Sequence, residues 1–297
     1  MLLGSFFKRV GLIDESFSAK MNKFAFAVAL PALLFQDISA VDIRESWNGG
    51  FVLFCFIATF LSITGVTVLS FFVVKREERG EFVQGAYRSS AAILGIAFIQ
   101  NIYGTSGMAP LMIIGTVPLY NAFAVIVLSL LKPGQRKMDK ALLQKTLKGI
   151  VTNPIILGIA AGFVWAILKI PQPEILQKTV KNMAVLATPL GLMAMGASFE
   201  GKKALGKLKP TLIASALKLV VLAAIFLPIA VRLGYRESEL VAILVMLGSA
   251  TTVSSFVMAR NMGHEGVLTS SIVMVTTLCS AFTLTGWLFL LKTLGLV

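Results

Sequence analysis

Long apolar runs, cut by short polar stretches, follow one another along the whole chain. Segments free of charged residues cover 47–74, 89–131, 149–168, 182–199, 240–259 and 266–291. Crossing about 30 Å of hydrocarbon takes about 20 apolar helical residues, so most of these are long enough to span a membrane. The run 89–131 is twice that length and carries a polar turn over 101–107, so it reads as two spans on a short loop. The pattern predicts ten helices. Span 1 is a fragment at 1–7, followed by spans over 22–39, 49–74, 85–102 and 106–131. A basic stretch at 132–148 separates these from spans over 149–170, 179–198, 210–234, 238–261 and 267–294.

The two groups repeat one another. Ser90-Ala91, Gly104, Gly107 and Ala122-Phe123 recur as Ser249-Ala250, Gly263, Gly266 and Ala281-Phe282, each pair 159 positions apart, and Pro31 and Pro189 lie 158 apart. With five spans in each unit, the second copy must enter the bilayer inverted. The expected fold is an all-α membrane protein with ten transmembrane helices, the first one truncated, arranged as a 5+5 inverted repeat with broken, crossing helices 4 and 9. Its units are residues 1–131, a basic cytoplasmic link at 132–148, and residues 149–297. Repeats of this kind build carriers with a central site reachable from either side.

Composition agrees. Hydrophobic residues make up 57% of the chain, charged residues only 14%, and mean hydropathy is +0.86, well outside the globular range. The net charge of +13 sits in short loops beside spans, which argues against nucleic acid and for a membrane orientation. Loops after spans 1, 3, 5, 7 and 9 hold 18 Lys and Arg, against 7 on the alternate side. That bias places the first set in the cytoplasm and both termini outside a cell membrane. The link at 132–148 reads either as a lipid-headgroup contact or as a solvated loop. Cys55 and Cys279 stand alone and His264 is the one histidine, so no disulfide framework, metal site or cofactor is expected. At the N-terminus an apolar stretch precedes Lys8-Arg9, the reverse of a signal peptide. Seven helical residues reach only about 10 Å, which predicts natural residues upstream.

Candidate chemistry centres on spans 4 and 9. Broken helices are tolerated in a bilayer only where they line a cavity, and both spans carry small hydroxylated clusters: Ser90 with Gly95, and Ser249, Thr251 and Thr252. Their half-helix N-termini would offer partial positive charge to a carboxylate; the competing reading is ordinary small-residue helix packing. Lys218, deep in span 8, and Arg88, at the start of span 4, would set a positive field, unless each snorkels to an interface. Asn121 and Ser280 correspond through the 159-residue offset and either line the same cavity or bond neighbouring helices. No Asp or Glu falls mid-span; Asp37 and Glu200 sit near ends, which weakens a proton-coupled reading. Pro31 and Pro189 are expected to kink their spans.

At four strings the chain resembles the auxin efflux carrier (AEC) family: NKFAFAVALPALLF from Asn22, NPIILGIAAG from Asn153, LATPLGLMAMGAS from Leu186 and TTLCSAFT from Thr276. The resemblance covers nearly the whole chain. It implies a ten-span inverted-repeat carrier for organic anions such as auxin or small dicarboxylates, with crossing spans 4 and 9. The family commonly has an Asn and a crossover Pro in span 4, where this chain has Ser90 and Ala97, and a crossover Pro near Ala250, where it has none. Carried over, the substrate role falls on Ser90, with the helix breaks left to Gly95 and Gly248. The expected function is secondary transport of a small organic anion by alternating access. Rival readings are a sodium-coupled symporter of the bile-acid type, a membrane sensor and a membrane enzyme. Partners expected are the anion, the lipid bilayer and, as an option, a second copy in a homodimer.

Overall fold

The computed structural model describes residues 1–40, 48–105, 107–134 and 140–297, and every regular element among them is helical. Arg44, Ser106, Arg136 and Lys137, used above for charge and span limits, lie outside the described residues. The chain opens with α1 (Leu2–Arg9) and α2 (Glu15–Phe24), which runs through a π turn (Ala25–Ala29) into α3 (Leu30–Ser39). Then come α4 (Gly49–Val73), α5 (Arg79–Tyr87), α6 (Ala91–Tyr103) and α7 (Ala109–Leu130). After α8 (Lys140–Val151), which makes the end of the basic link helical, follow α9 (Pro154–Leu168), α10 (Glu174–Val185), α11 (Ala187–Ala197) and α12 (Gly201–Gly206). A second π turn (Leu217–Val221) joins α13 (Leu208–Ala216) to α14 (Leu222–Arg232). The chain ends with α15 (Glu237–Gly248), α16 (Ser254–Asn261) and α17 (Val267–Thr293).

Among the described residues, six helical stretches are long and apolar enough to cross a membrane: Glu15–Ser39, Gly49–Val73, Ala109–Leu130, Glu174–Ala197, Leu208–Arg232 and Val267–Thr293. On α4, Phe56, Phe60 and Phe72 point outward, Phe72 with 83% of its surface bare. Such a face is stable in hydrocarbon and costly in water. The chain is a multi-pass membrane protein.

Both prolines in matching positions interrupt their helices four residues upstream. A proline cannot donate to the carbonyl at i−4 and its ring crowds that carbonyl. For Pro31 that residue is Ala27, inside the first π turn; for Pro189 it is Val185, where α10 ends. The expected kinks take these two forms.

Packing divides the helices into two groups. In one, α3 lies along α9 and α10, and α1 lies along α11. Glycine permits the closest of these approaches: a Cβ on Gly158 of α9 would stand 2.7 Å from the Pro31 carbonyl oxygen, and one on Gly4 of α1 would stand 2.3 Å from that of Met193. In the other group α4 packs on α7 and α5, α13 on α17, and α15 on α6 and α14. The functional geometry lies inside this second group, where it meets α3.

Candidate functional site

The chain leaves the helix between α5 and α6 and again between α15 and α16, and the two interruptions touch. Between α5 and α6 the chain leaves the helical conformation at 88–90, with Arg88 extended (φ −78°, ψ 123°). Between α15 and α16 residues 249–253 lie outside regular helix, with Ser249 extended (φ −79°, ψ 164°) and Val253 back in the helical region (φ −58°, ψ −30°). The Ser90 amide donates to the Ala250 carbonyl at 3.0 Å, so one interruption satisfies the other. Thr251 adds two links, its hydroxyl donating to the Gly85 carbonyl at 2.7 Å and its amide to Thr276 Oγ1 at 3.1 Å. Gly248 ends α15 at the second break, as expected, but Gly95 does not mark the first. It sits inside α6, where a Cβ would lie 2.7 Å from Met112 Cε. Its role is close packing against α7. The break falls earlier because the Ser90 amide has a partner outside its own helix.

A cavity of about 50 Å³ opens at the crossing. Arg88, Ser90, Asn121 and Thr252 line it, together with Asp37, Ser89, Ala91, Ala92, Tyr120 and Ser254. No side chain caps the N-terminus of α6, so its first amides, unpaired within the helix, lie at the cavity wall with their partial positive charge. Arg88 is buried; its guanidinium donates to Asn121 Oδ1 and, at 2.6 Å, to Met258 Sδ. Asn121 in turn donates to the Val117 carbonyl at 2.8 Å. Thr252 and Ser254 share a hydroxyl contact at 3.2 Å. The site thus joins a fixed cation, a bare helix start and several hydroxyls.

Asp37 is the residue that sequence reasoning passed over. It lies near the end of α3, as the span limits predict, but the crossing cavity reaches it there. Lateral position decides the matter, and the spacing of Leu33, Leu34 and Asp37 on one helical face (i, i+1, i+4) was the available signal. Glu81 is a second case. Expected in a loop, it lies in α5, 2% exposed, and accepts from the amides of Gly266 and Thr269 at 2.9 Å each and from Thr269 Oγ1 at 3.0 Å. The N-terminus of α17 takes up its charge, so α5 starts at Arg79 and not at Gly85.

Lys218 does not snorkel. It lies in the second π turn, fully buried, and its ammonium reaches the carbonyls of Leu247 at 2.5 Å and Met246 at 3.5 Å. Those oxygens belong to the last turn of α15, which has no helical partners for them once Ser249 runs extended. Met246 also accepts from the hydroxyls of Ser89 and, at 2.9 Å, Tyr120. Lys218 therefore meets the crossing from behind, at a helix end, and is not among the cavity-lining residues. Ser249 is fully buried with an unpartnered hydroxyl. Ser280 is buried on α17 and donates to the Thr277 carbonyl at 3.0 Å, outside the cavity lining.

Two larger hollows flank the crossing. One, of about 680 Å³, is lined by Gln36, Ser39, Trp165, Lys169, Lys178 and Lys181 among others. The other, of about 300 Å³, has Ser18, Asn22, Lys203, Arg260 and Glu265 in its wall. At its rim Lys207 donates to Glu265 at 2.5 Å and holds that carboxyl below the usual carboxylate range. Along the stretch Glu15–Ser39, Asn22 faces the smaller hollow, Asp37 the crossing cavity and Gln36 the larger hollow.

Comparison with known proteins adds the family. A protein of Rhizobium meliloti (strain 1021) described as "Putative malonate transporter" is 26% identical over 281 residues, which is 92% of this chain and 86% of that protein. The family model described as "Membrane transport protein" matches residues 1–288. With that match over almost its whole length, and with the motif resemblance noted at the outset, the chain belongs to this family of membrane transport proteins, the auxin efflux carriers.

Proposed function

We propose that this protein is a secondary carrier for small carboxylates, dicarboxylates above all, working by alternating access. The observation that carries the reading is the uncapped N-terminus of α6 opening, beside the buried Arg88, into a small cavity between the two helix groups. A helix start favours a carboxylate by about 0.3–2 kcal/mol, and a guanidinium binds one in bidentate fashion. Two such features in one cavity suit a substrate with two carboxylates. Malonate, in the name of the Rhizobium meliloti relative, is such a compound. Ser90, Asn121 and Thr252 would orient it, while Ser249, Thr251 and Ser280 with Gly95 would hold the crossing helices in place.

At about 50 Å³ the cavity is far below the roughly 300 Å³ of a usual ligand site, so the two groups would have to part to admit a substrate. Its wall comes from both groups, Leu33, Leu34 and Asp37 from α3 and the rest from the broken spans and α7. Sliding one group past the other would therefore open it towards one flanking hollow or the other. The 159-residue offset, the paired breaks and the reciprocal packing of α3 on α9 and α1 on α11 support the 5+5 inverted arrangement. In it, units 1–131 and 149–297 are joined by the basic link 132–148 on the cytoplasmic side of the cell membrane, with both termini outside. Purified protein in liposomes should accumulate labelled malonate. Unlabelled dicarboxylates should compete, and the corresponding neutral diamide should not. Equal competition by the diamide, or no carboxylate uptake at all, would refute the reading.

A further inference from the structure

We infer that the ammonium of Lys218 occupies, within the chain itself, the place where a coupling cation would bind, so that the second interruption stays formed without sodium. The inference rests on the carrier reading above. In carriers with broken helices, the carbonyl end of a half-helix and the unwound backbone beside it are where a monovalent cation is held. Here that end is the last turn of α15, and the carbonyls of Met246 and Leu247 take an ammonium in its stead.

Five observations support this. Ser249 leaves the helix extended, so both carbonyls need outside partners. Met246 has two further donors, the neutral hydroxyls of Ser89 and Tyr120, so among the described residues Lys218 is the cation that meets the negative end of α15. Lys218 is fully buried, and no carboxylate among the described residues forms an ion pair with it. Its charge is thus balanced by backbone dipoles, as a bound metal cation's would be. Lys218 also sits in a π turn, an irregularity that re-aims a side chain relative to a regular helix and is frequent at functional positions. Directly after the end of α15 the buried Ser249 hydroxyl has no partner, and it would offer a small cation an oxygen once the lysine is removed.

The test is cation dependence. Wild-type protein in liposomes should take up labelled malonate equally in sodium, potassium and choline media. Lys218→Ala should lose about tenfold or more of its uptake in choline, because the carbonyl end of α15 is left bare, and recover most of it in sodium. In detergent, sodium should raise the Tm of the variant by a few degrees over choline and leave wild type unmoved, as ligand binding to the folded state alone requires. Lys218→Ser adds an oxygen to the vacated space and carries the same expectation, should the alanine variant not accumulate. Full uptake by the variant in choline overturns the inference. So do sodium-dependent wild-type uptake, a variant whose Tm and transport ignore sodium, and failure of both variants to accumulate in sodium-containing medium. If wild type transports no carboxylate the carrier reading falls instead, and the Tm comparison still decides this point.

Discussion

At the first interruption the chain is non-helical for three residues, 88–90, and restarts as α6 on Ala91 and Ala92, with no side chain over its amides. At the second it needs five residues, 249–253, and its upstream half ends under Lys218, Ser89 and Tyr120. One break leaves a helix start open and the other closes a helix end. Physically these are opposite charges treated in opposite ways: the positive end is presented to a cavity, the negative end is neutralised from within. On the carrier reading proposed above, the first interruption would face the anion and the second would support it. A carrier can keep two related breaks while asking only one of them to meet the substrate.

The sharpest way to break this contrast is Arg88→Ala. The first interruption should lose its cation, and carboxylate affinity should fall by about 2–5 kcal/mol, well over tenfold, with the Tm changed far less; uptake kinetics and thermal melts read the two separately. Unchanged affinity would place the substrate elsewhere. Thr251→Val comes next. It strips the Gly85 carbonyl of a hydroxyl donor inside the crossing, at a cost of about 1–3 kcal/mol of stability. Its signature is a lower Tm in detergent with KM little altered; a changed KM and an unchanged Tm would move Thr251 to the substrate side. The smallest effect belongs to Asp37→Asn. A carboxylate on the cavity wall opposes an incoming anion, so neutralising it should tighten malonate binding by about threefold to tenfold at neutral pH. Weaker binding would show instead that Asp37 helps to hold the substrate.

Much of the architecture was legible because membrane helices write themselves in long apolar runs and because the chain states its pattern twice. The pairing of Ser90 with Ser249 marks both interruptions, Pro31 marks the first π turn and Pro189 the break between α10 and α11, while nothing in the sequence marked the π turn at Leu217–Val221. What could not be read were lateral and directional facts. Asp37 was judged by its depth along α3, whereas the face it shares with Leu33 and Leu34 sets its place in the cavity. Glu81 looked like a loop residue because nothing in its own segment announces the helix start of α17 that receives it. Lys218 had two destinations open to it from sequence. The choice depended on carbonyls left over 28 and 29 positions away, at Met246 and Leu247. Gly95 drew notice as a breaker when its missing side chain serves the neighbouring Met112.

The single rung from the Ser90 amide to the Ala250 carbonyl has a mechanical meaning. Each interruption closes the other's hydrogen-bonding account in a place where water is scarce, so pulling them apart would strand a donor and an acceptor together, a penalty of several kcal/mol. The crossing should then travel as one hub during the transport cycle, with gates swinging around it, and a solute seated there would be handed from one side to the other without its seat being dismantled.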